Sequence, residues 1–142
     1  MKGSRLGLAV LVVAATVSCV TPKLPAGIEN RDWFLVAIGS DTNVAATQTE
    51  RPTLRLEASR AAGFAGCNHF AGSYTLNGDH VHFGPSASTK MFCEKTAAIE
   101  DKYLAALARV VRWSVAGDEL TLSSDDGPVL RFKEMAQTRR TS

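Results

Sequence analysis

The sequence predicts a mainly β domain with one helix, folded as a small antiparallel barrel or half-barrel that the helix covers. From Arg31 onward, apolar and polar residues alternate with a period of two, and residue pairs typical of tight turns separate the alternating runs. The segment 94–111 departs from this pattern, because its apolar residues recur at helical spacing. At 142 residues, the chain is expected to form about one domain.

The N-terminus has the features of an export signal. Lys2 and Arg5 precede an apolar run from Leu6 to Val17, which is shorter than the about 20 residues that span a bilayer. We therefore assign residues 1–18 to a signal peptide. Its removal leaves 14 basic and 14 acidic residues, and so a net charge of zero. This balance argues against nucleic acid as a partner, because nucleic acid is bound mainly through Lys and Arg.

Cys19 follows the small residues Thr16-Val17-Ser18, and this order resembles the lipobox of bacterial lipoproteins. In a lipobox the Cys becomes the first mature residue and carries the lipid, although a Leu is usual where this chain has Thr16. The resemblance implies a membrane anchor at Cys19. Residues 19–30 contain two prolines and a glycine and are expected to form a flexible tether. Ordinary signal cleavage, or an uncut anchor, is the alternative.

Export would place Cys67 and Cys93 in an oxidising compartment, where a pair of cysteines normally forms a disulfide. With Cys19 carrying lipid, the remaining cysteine count is even. The bridge is expected to stabilise the fold by roughly 3–4 kcal/mol in the chain-entropy model. Two unpaired buried thiols are the alternative.

The alternation between Phe70 and Phe83 predicts a hairpin that turns at Asn77-Gly78. The expected register pairs Thr75 with His80, Tyr74 with Val81, Ser73 with His82 and Gly72 with Phe83. One strand face is then apolar and the other is exposed to solvent, because side chains alternate along a strand. The expected core face consists of Phe70, Gly72, Tyr74, Val81 and Phe83. The expected solvent-exposed face consists of Ser73, Thr75, His80 and His82.

The remaining elements complete a sheet of at least six strands. A second hairpin is expected at Gly117-Asp118, after which a loop at 124–128 precedes inward-facing Leu130 and Phe132. This second hairpin pairs Val115 with Leu120 and Trp113 with Leu122. Upstream, Leu54 and Leu56 alternate with charged residues, while the segment 33–38 is apolar on both faces, as in a strand covered on both sides. The apolar stripe of the helix comprises Ile99, Tyr103, Leu104, Leu107, Val110 and Val111.

Two motifs lie ahead of the helix: Gly-Cys-Asn-x-Phe at Gly66–Phe70, and Thr-x-Met-x-Cys at Thr89–Cys93. Together with Gly72, Tyr74, Glu100, Leu104, Leu107 and Trp113, they resemble the META domain, or HslJ-like domain, of bacterial envelope lipoproteins. The resemblance covers roughly Asp32–Lys133. Accordingly, we assign residues 31–134 to a META-like domain and 135–142 to a flexible tail. Phe92 departs from the family, in which a small residue commonly precedes the second Cys.

The resemblance implies a lipocalin-like barrel outside the cytoplasm, with no established catalytic chemistry. Family members have been linked to heat response and to resistance against a hydrophobic antibiotic. The motif residues are expected to have structural roles, and Asn68 and Thr89 in particular to satisfy backbone groups where strands bend. These residues are Gly66, Asn68, Phe70, Gly72, Tyr74, Thr89 and Met91.

The reactive residue types do not form a convincing catalytic or metal site. Cys67 and His69 share a strand side but lack a third residue to orient the imidazole, and a bridged Cys67 cannot act as a nucleophile. His80 and His82 are about 7 Å apart on one strand face, but that face is expected to be wet. The run Asp125-Asp126-Gly127 is typical of a turn rather than a calcium loop. We therefore expect no enzyme activity, no cofactor and no metal.

The preferred hypothesis is a periplasm-facing lipoprotein, most simply in the outer membrane, that supports envelope integrity or stress and antibiotic tolerance by binding an envelope partner. A carrier of a small apolar ligand, such as a lipid or drug, is one alternative, and an inhibitor of a cell-wall hydrolase is another. The carrier would need a pocket between helix and sheet. Its expected lining is Trp33, Phe64, Phe70, Tyr74, Met91, Phe92 and Trp113.

Overall fold

The computed structural model describes residues 27–45 and 47–136, together with Gly3. Eight antiparallel strands follow one another round a sheet that closes in an irregular ring, and one α-helix packs against it. This confirms the predicted class, a mainly β fold with one helix. The elements are β1 (Asp32–Ile38), β2 (Thr53–Glu57), β3 (Arg60–Phe64), β4 (His69–Asn77), β5 (His80–Ser88), α1 (Ala97–Ala108), β6 (Arg112–Ala116), β7 (Glu119–Ser124) and β8 (Gly127–Glu134).

The signal peptide assigned to residues 1–18, apart from Gly3, lies outside the described residues, as do Cys19 and the segment 137–142. In the part of the chain that is described, no helix combines the length and the apolarity needed to cross a bilayer. Helix α1, with 12 residues, is the longest described helix and belongs to the barrel.

The strands bury one face and expose the other. In β1, Trp33, Leu35 and Ala37 are buried, whereas Phe34 and Val36 between them are half-buried. The expectation that this strand is covered on both sides is therefore wrong, because β1 belongs to a ring whose outer face meets solvent. The inner faces supply one continuous core, which includes Trp33, Leu35, Leu54, Leu56, Phe70, Tyr74, Val81, Leu120, Leu122, Leu130 and Phe132.

The β4–β5 turn lies one residue further along the chain than predicted. Asn77 pairs with His80, so the loop is Gly78-Asp79, and Gly78 takes a positive φ of 59°. The predicted pairing of Thr75 with His80 is wrong, because Thr75 pairs with His82. Moving a turn by one residue shifts the cross-strand partners next to it by two, so the faces predicted for Tyr74 to Phe83 are retained; beyond a bulge, Gly72 pairs with Ser86. Phe70, Tyr74, Val81 and Phe83 are all buried, and His80 and His82 are exposed.

The other predicted hairpin is confirmed in its register. Val115 pairs with Leu120 and Trp113 with Leu122, across a loop of Gly117-Asp118. The turn between β7 and β8 is tighter than expected, because Ser124 already pairs with Gly127. A further tight turn at Ala58-Ser59, between β2 and β3, has positive φ at both residues, 48° and 65°.

Helix α1 lies where the ring of strands is least complete. Strands β5 and β6 share one residue pair, His80 with Arg112, supported by a hydrogen bond from Val81 N to Val111 O of 3.0 Å. Beyond this pair, the second edge of β5 has no strand partner among the described residues. The helix connects the two strands of this seam and inserts Tyr103 into the core, where its ring lies 5.8 Å from that of Phe70 and 6.1 Å from that of Phe132.

The barrel has two distinct ends. At the N-terminal end, Ile28 is fully buried and its carbonyl accepts a hydrogen bond of 3.0 Å from Trp33 Nε1. Arg31 donates to Gly117 O at 2.9 Å at this same end and forms an ion pair with Glu134. The residues 27–30, assigned above to the flexible tether, are thus part of the barrel, because Ile28 supplies apolar surface that closes its core. The β3–β4 connection and the end of β5 lie at the opposite end, which we call the disulfide end.

Candidate functional site

A disulfide joins the two sequence motifs at the disulfide end. The S–S distance between Cys67 and Cys93 is 2.06 Å, their Cα atoms lie 5.8 Å apart, and 26 positions separate them in sequence. Cys67 precedes β4 and Cys93 lies just before α1, so the bond ties the start of the helix to the sheet. With its sulfur in this bond, Cys67 has no thiolate to offer as a nucleophile.

Asn68 is the centre of the polar contacts around the disulfide. Its Oδ1 accepts hydrogen bonds from Met91 N at 2.7 Å and from Thr89 Oγ1 at 2.9 Å. Its Nδ2 donates to Met91 O at 3.0 Å and to Glu100 Oε1 at 2.9 Å. The side chain is buried, and a buried amide that satisfies all these groups specifies one loop conformation. In this geometry Asn68 supports the backbone, which is the role expected for it from the sequence.

Glu100 supplies the second half of this network from the first turn of α1. Its Oε2 accepts from Asn68 N at 2.7 Å and from Cys67 N at 3.2 Å, in addition to the bond at Oε1. Both carboxylate oxygens are thus used to hold the backbone of the β3–β4 connection. Sequence reasoning did not assign this role to Glu100. The available signal was an acidic residue that belongs to the motif set and lies in the N-terminal half of the predicted helix.

Gly66 and Thr89 complete the framework. Gly66 takes a φ of 113°, which only glycine adopts readily, and so allows the chain to turn into Cys67 and Asn68. Thr89 Oγ1 accepts from His69 N at 3.2 Å, and Thr89 N donates to His69 O at 3.0 Å. These bonds extend the β4–β5 ladder into the segment 89–93, which we call the tip segment.

The tip segment exposes two large apolar side chains. Met91 is 61% exposed and Phe92 is 86% exposed, and we call this pair the apolar tip. The backbone beneath it is fixed, because Asn68 holds both the N–H and the carbonyl of Met91, and the disulfide holds Cys93. The carbonyl of Cys93 also accepts from Ala97 N at 2.9 Å, at the start of α1. The exposed position of Phe92 therefore follows from a stable local structure.

A surface cleft of about 380 Å³ lies beside the apolar tip. Its walls come from the tip segment and the first turn of α1, and the disulfide lies beneath it. The lining residues include Asn68, Thr89, Met91, Phe92, Glu100 and Asp101. The volume is within the range of small-molecule sites, but the cleft is open to solvent rather than enclosed.

The predicted aromatic pocket is not assembled by the fold. Trp33 is fully buried at the N-terminal end, whereas Phe92 projects from the disulfide end. Trp113 is half-buried and donates to Gly78 O at 3.1 Å, and the half-buried Phe64 ring lies 5.2 Å from that of His69. Between α1 and strands β4 and β5 the cavity measures only about 40 Å³, with room for water molecules rather than for an apolar ligand.

The remaining motif residues belong to the barrel wall. A Cβ on Gly72 would lie 2.7 Å from Pro85 O, so the close approach of β4 to β5 requires glycine there. Tyr74 is buried, and its hydroxyl donates a hydrogen bond to the Glu29 carboxylate. Burial, and then this hydrogen bond, raise the pKa of Tyr74 to about 12. Phe70 packs in the core against Tyr103.

The histidines are surface residues. His69, His80 and His82 are all exposed, and His80 Nδ1 lies 2.9 Å from Asp79 Oδ1. Across residues 27–45 and 47–136, no three His, Cys, Asp or Glu side chains are placed to hold one metal ion together.

Comparison with known proteins places the motif residues in a family. The family model described as META domain matches residues 26–137. The chain belongs to the META domain family. The matched segment includes the whole barrel, and it also begins before residue 31, in agreement with the buried position of Ile28 in this META domain.

Two solved structures are similar to this META domain. The NMR structure of a protein from Burkholderia xenovorans is 27% identical, with a TM-score of 0.63, and the match covers 89% of this chain and 100% of that one. A second NMR structure is 16% identical with a TM-score of 0.59, covering 75% of this chain and 90% of the other, and supports the fold alone. No curated protein matches the chain.

Proposed function

We propose that this META domain protein is a non-enzymatic lipoprotein of the cell envelope. In this proposal it is exported, anchored through Cys19 and supports envelope integrity under stress by binding another envelope component through its apolar tip. The observation that carries the binding role is the exposure of Met91 and Phe92 on a segment that the Asn68 network and the disulfide hold in place. Signal and lipid attachment rest on the sequence pattern of residues 1–19.

The cost of the exposed tip supports a binding role. Burying a side chain such as Phe or Met typically stabilises a protein by about 1.5–3 kcal/mol relative to leaving it exposed. Here the fold uses a buried amide, a half-buried carboxylate and a disulfide to hold these two side chains in solvent. A fixed apolar pair of this kind favours a contact with another molecule, because association would bury the apolar surface that folding leaves exposed.

The polar groups of the site support a non-enzymatic role. Both oxygens of Glu100 accept backbone or amide N–H groups, and Oδ1 of Asn68 accepts two donors. Groups occupied in this way are structural, since a general base needs a free lone pair directed at its substrate. Cys67 is similarly occupied by its bond to Cys93.

The geometry does not favour the two alternatives. A carrier would need a ligand-sized interior, and the cavity between α1 and the sheet is about 40 Å³, against roughly 300–1,000 Å³ for typical ligand sites. For the hydrolase inhibitor, the described residues supply no specific supporting contact. Muramidase inhibition by the purified protein is its direct test.

The proposal is tested by complementation in the bacterium that encodes the chain. A deletion strain receives the wild-type gene, the double variant Met91→Ser/Phe92→Ser, or the control Met135→Ser, which changes a 36% exposed Met at the N-terminal end. We expect the double variant to leave cells as sensitive to heat and to a hydrophobic antibiotic as the deletion, while Met135→Ser restores tolerance. Full complementation by the double variant, at equal protein level, would contradict a binding role for the tip.

A further inference from the structure

We infer that the apolar tip inserts into a phospholipid surface. This inference rests on the proposed function, because it takes the tip as the binding element and names what the tip binds. It assigns the chain a second membrane contact, formed by Met91 and Phe92, in addition to the lipid proposed at Cys19.

The small size of the tip favours lipid over a protein. A specific protein–protein interface buries about 800 Å² on each partner, with an apolar centre. The tip offers two adjacent apolar side chains, and the residues around it are exposed and polar or charged: Thr89, Lys90, Glu94 and Lys95. A folded partner, or a second copy of this chain, would find little apolar area there. A bilayer needs no complementary surface, because acyl chains adapt to a protruding side chain.

The stiffness of the tip segment also suits insertion. Met91 is held at its N–H and its carbonyl by Asn68, and Cys93 is held by the disulfide and by hydrogen bonds from the start of α1. Phe92 lies between these two fixed points and extends into solvent. Insertion then requires no ordering of the loop, which removes one of the usual costs of binding.

Two lysines beside the tip can reach the headgroup region of a bilayer. Lys90 and Lys95 flank the apolar pair in sequence, with Glu94 the one acidic residue between them, and all three are exposed. Lysines at this level can extend their ammonium groups to lipid phosphates while their methylene stems contact apolar surface. Because Glu100 and Asp101 line the cleft beside the tip, the lysines offer these contacts without a net positive charge at the site.

The two proposed membrane contacts, Cys19 and the tip, are separated by about the length of the barrel. Gly27 lies at the N-terminal end of the barrel and the tip at the disulfide end. The eight residues 19–26 reach at most about 29 Å when extended, and a strand of nine residues such as β4 is about 30 Å long. The tether can therefore span about the length of the barrel, which allows both contacts to reach a single bilayer.

The test uses residues 20–142, which contain the whole described barrel, exported behind a cleavable secretory signal so that no lipid is attached. The variant Phe92→Trp reports insertion, because Trp33 is buried and Trp113 lies at the other end of the barrel. Vesicles of phosphatidylethanolamine and phosphatidylglycerol are added to the protein. We expect the fluorescence that Phe92→Trp shows in excess of the wild type to shift to shorter wavelength and to be quenched by brominated lipid. The affinity for vesicles, measured by co-sedimentation, should fall about tenfold or more in Met91→Ser/Phe92→Ser and should not fall in Met135→Ser.

An unshifted, unquenched Phe92→Trp spectrum, or equal sedimentation of all variants, would overturn the lipid assignment. If such a result accompanies failed complementation by Met91→Ser/Phe92→Ser in cells, the tip binds a protein and the proposed function stands. If vesicle binding is observed while that variant complements fully, the lipid contact stands and the proposed function falls. Equal melting midpoints of the variants show that the changes in binding do not come from unfolding.

Discussion

The side-chain amide of Asn68 and the carboxylate of Glu100 clamp the start of helix α1 to the turn that leads into β4. Asn68 Nδ2 lies 2.9 Å from Glu100 Oε1, and Asn68 N lies 2.7 Å from Glu100 Oε2. Through the remaining bonds of Asn68 to Met91, this pair also fixes the tip segment. The β3–β4 connection, the tip segment and the start of α1 are therefore held together by one side-chain amide.

Replacing Asn68 with Ala should lower the free energy of unfolding by about 3 kcal/mol. The change removes the partners of Met91 and Thr89 and leaves the Glu100 carboxylate with fewer donors in a partly buried position. Chemical denaturation measures the effect. The matched control is Asn77→Ala, an exposed position beside the β4–β5 turn, for which we expect a change within about 0.5 kcal/mol. Equal effects of the two substitutions would contradict the central role of Asn68.

Loss of the disulfide should destabilise the domain by roughly 3–4 kcal/mol, because the bond closes a loop across 26 positions of sequence. The measurement compares melting midpoints with and without reductant. The variant Cys67→Ser/Cys93→Ser is the control, since it has no bond to reduce and its midpoint should not respond to reductant. A wild-type midpoint that is unchanged by full reduction would show that the bond adds no stability.

Substituting Gly63 with Ala should destabilise the fold by about 3 kcal/mol. A Cβ there would lie 2.0 Å from Thr53 O, which is backbone of the neighbouring strand and cannot move without displacing it. Gly84→Ala provides the comparison, because its Cβ would meet the side-chain oxygen of Ser73 at 2.3 Å. Adding Ser73→Ala should restore the stability lost in Gly84→Ala. Tolerance of Gly63→Ala without loss of stability would contradict the close approach of β2 and β3.

Tyr74 should make the fold sensitive to alkaline pH. Its folded-state pKa is raised to about 12 by burial and by the hydrogen bond to Glu29, above the ordinary value of about 10 in the unfolded chain. The contribution of the protonated phenol is complete below about pH 10 and is lost as the pH rises towards 12. Unfolding free energies measured across this interval should fall more steeply for the wild type than for Tyr74→Phe. Identical slopes would contradict the raised pKa.

Replacing Cys19 with Ala should release the protein from membranes, because the proposed lipid is attached to this sulfur. Cell fractionation followed by immunoblotting measures the distribution. Ser18→Ala, which keeps both the sulfur and a small residue before it, is the control and should remain with membranes. Unchanged fractionation of Cys19→Ala would contradict lipid anchoring.

The sequence predicted the features that depend on local pattern. The alternation of β4 and β5 gave the correct core face, and Gly117-Asp118 gave the correct turn and register. The Ala58-Ser59 turn carried no such signal, because L residues rarely adopt positive φ. The pairing of Glu57 with Arg60 closes this turn, so the turn follows from the pairing of β2 with β3 and not from the turn preference of its two residues.

The candidate site was predicted in part. The two cysteines and Asn68 were identified from the motifs, and Asn68 was expected to satisfy backbone groups. Phe92 was named only as part of the lining of the pocket that a carrier would need. Its exposure is set by the hydrogen bonds of Met91 and the bond of Cys93, which fix the direction of the intervening residue and cannot be read from the sequence.

The single pair of His80 with Arg112 at the β5–β6 seam makes this the natural line along which the barrel opens. Opening there would also disturb α1, because the helix connects β5 to β6 and places Tyr103 in the core. The bond between Cys67 and Cys93 ties the beginning of that helix to the start of β4, on the β5 side of the seam. If the seam opens, the start of α1 therefore stays attached to the β4–β5 hairpin, and β6 is the strand that separates from it.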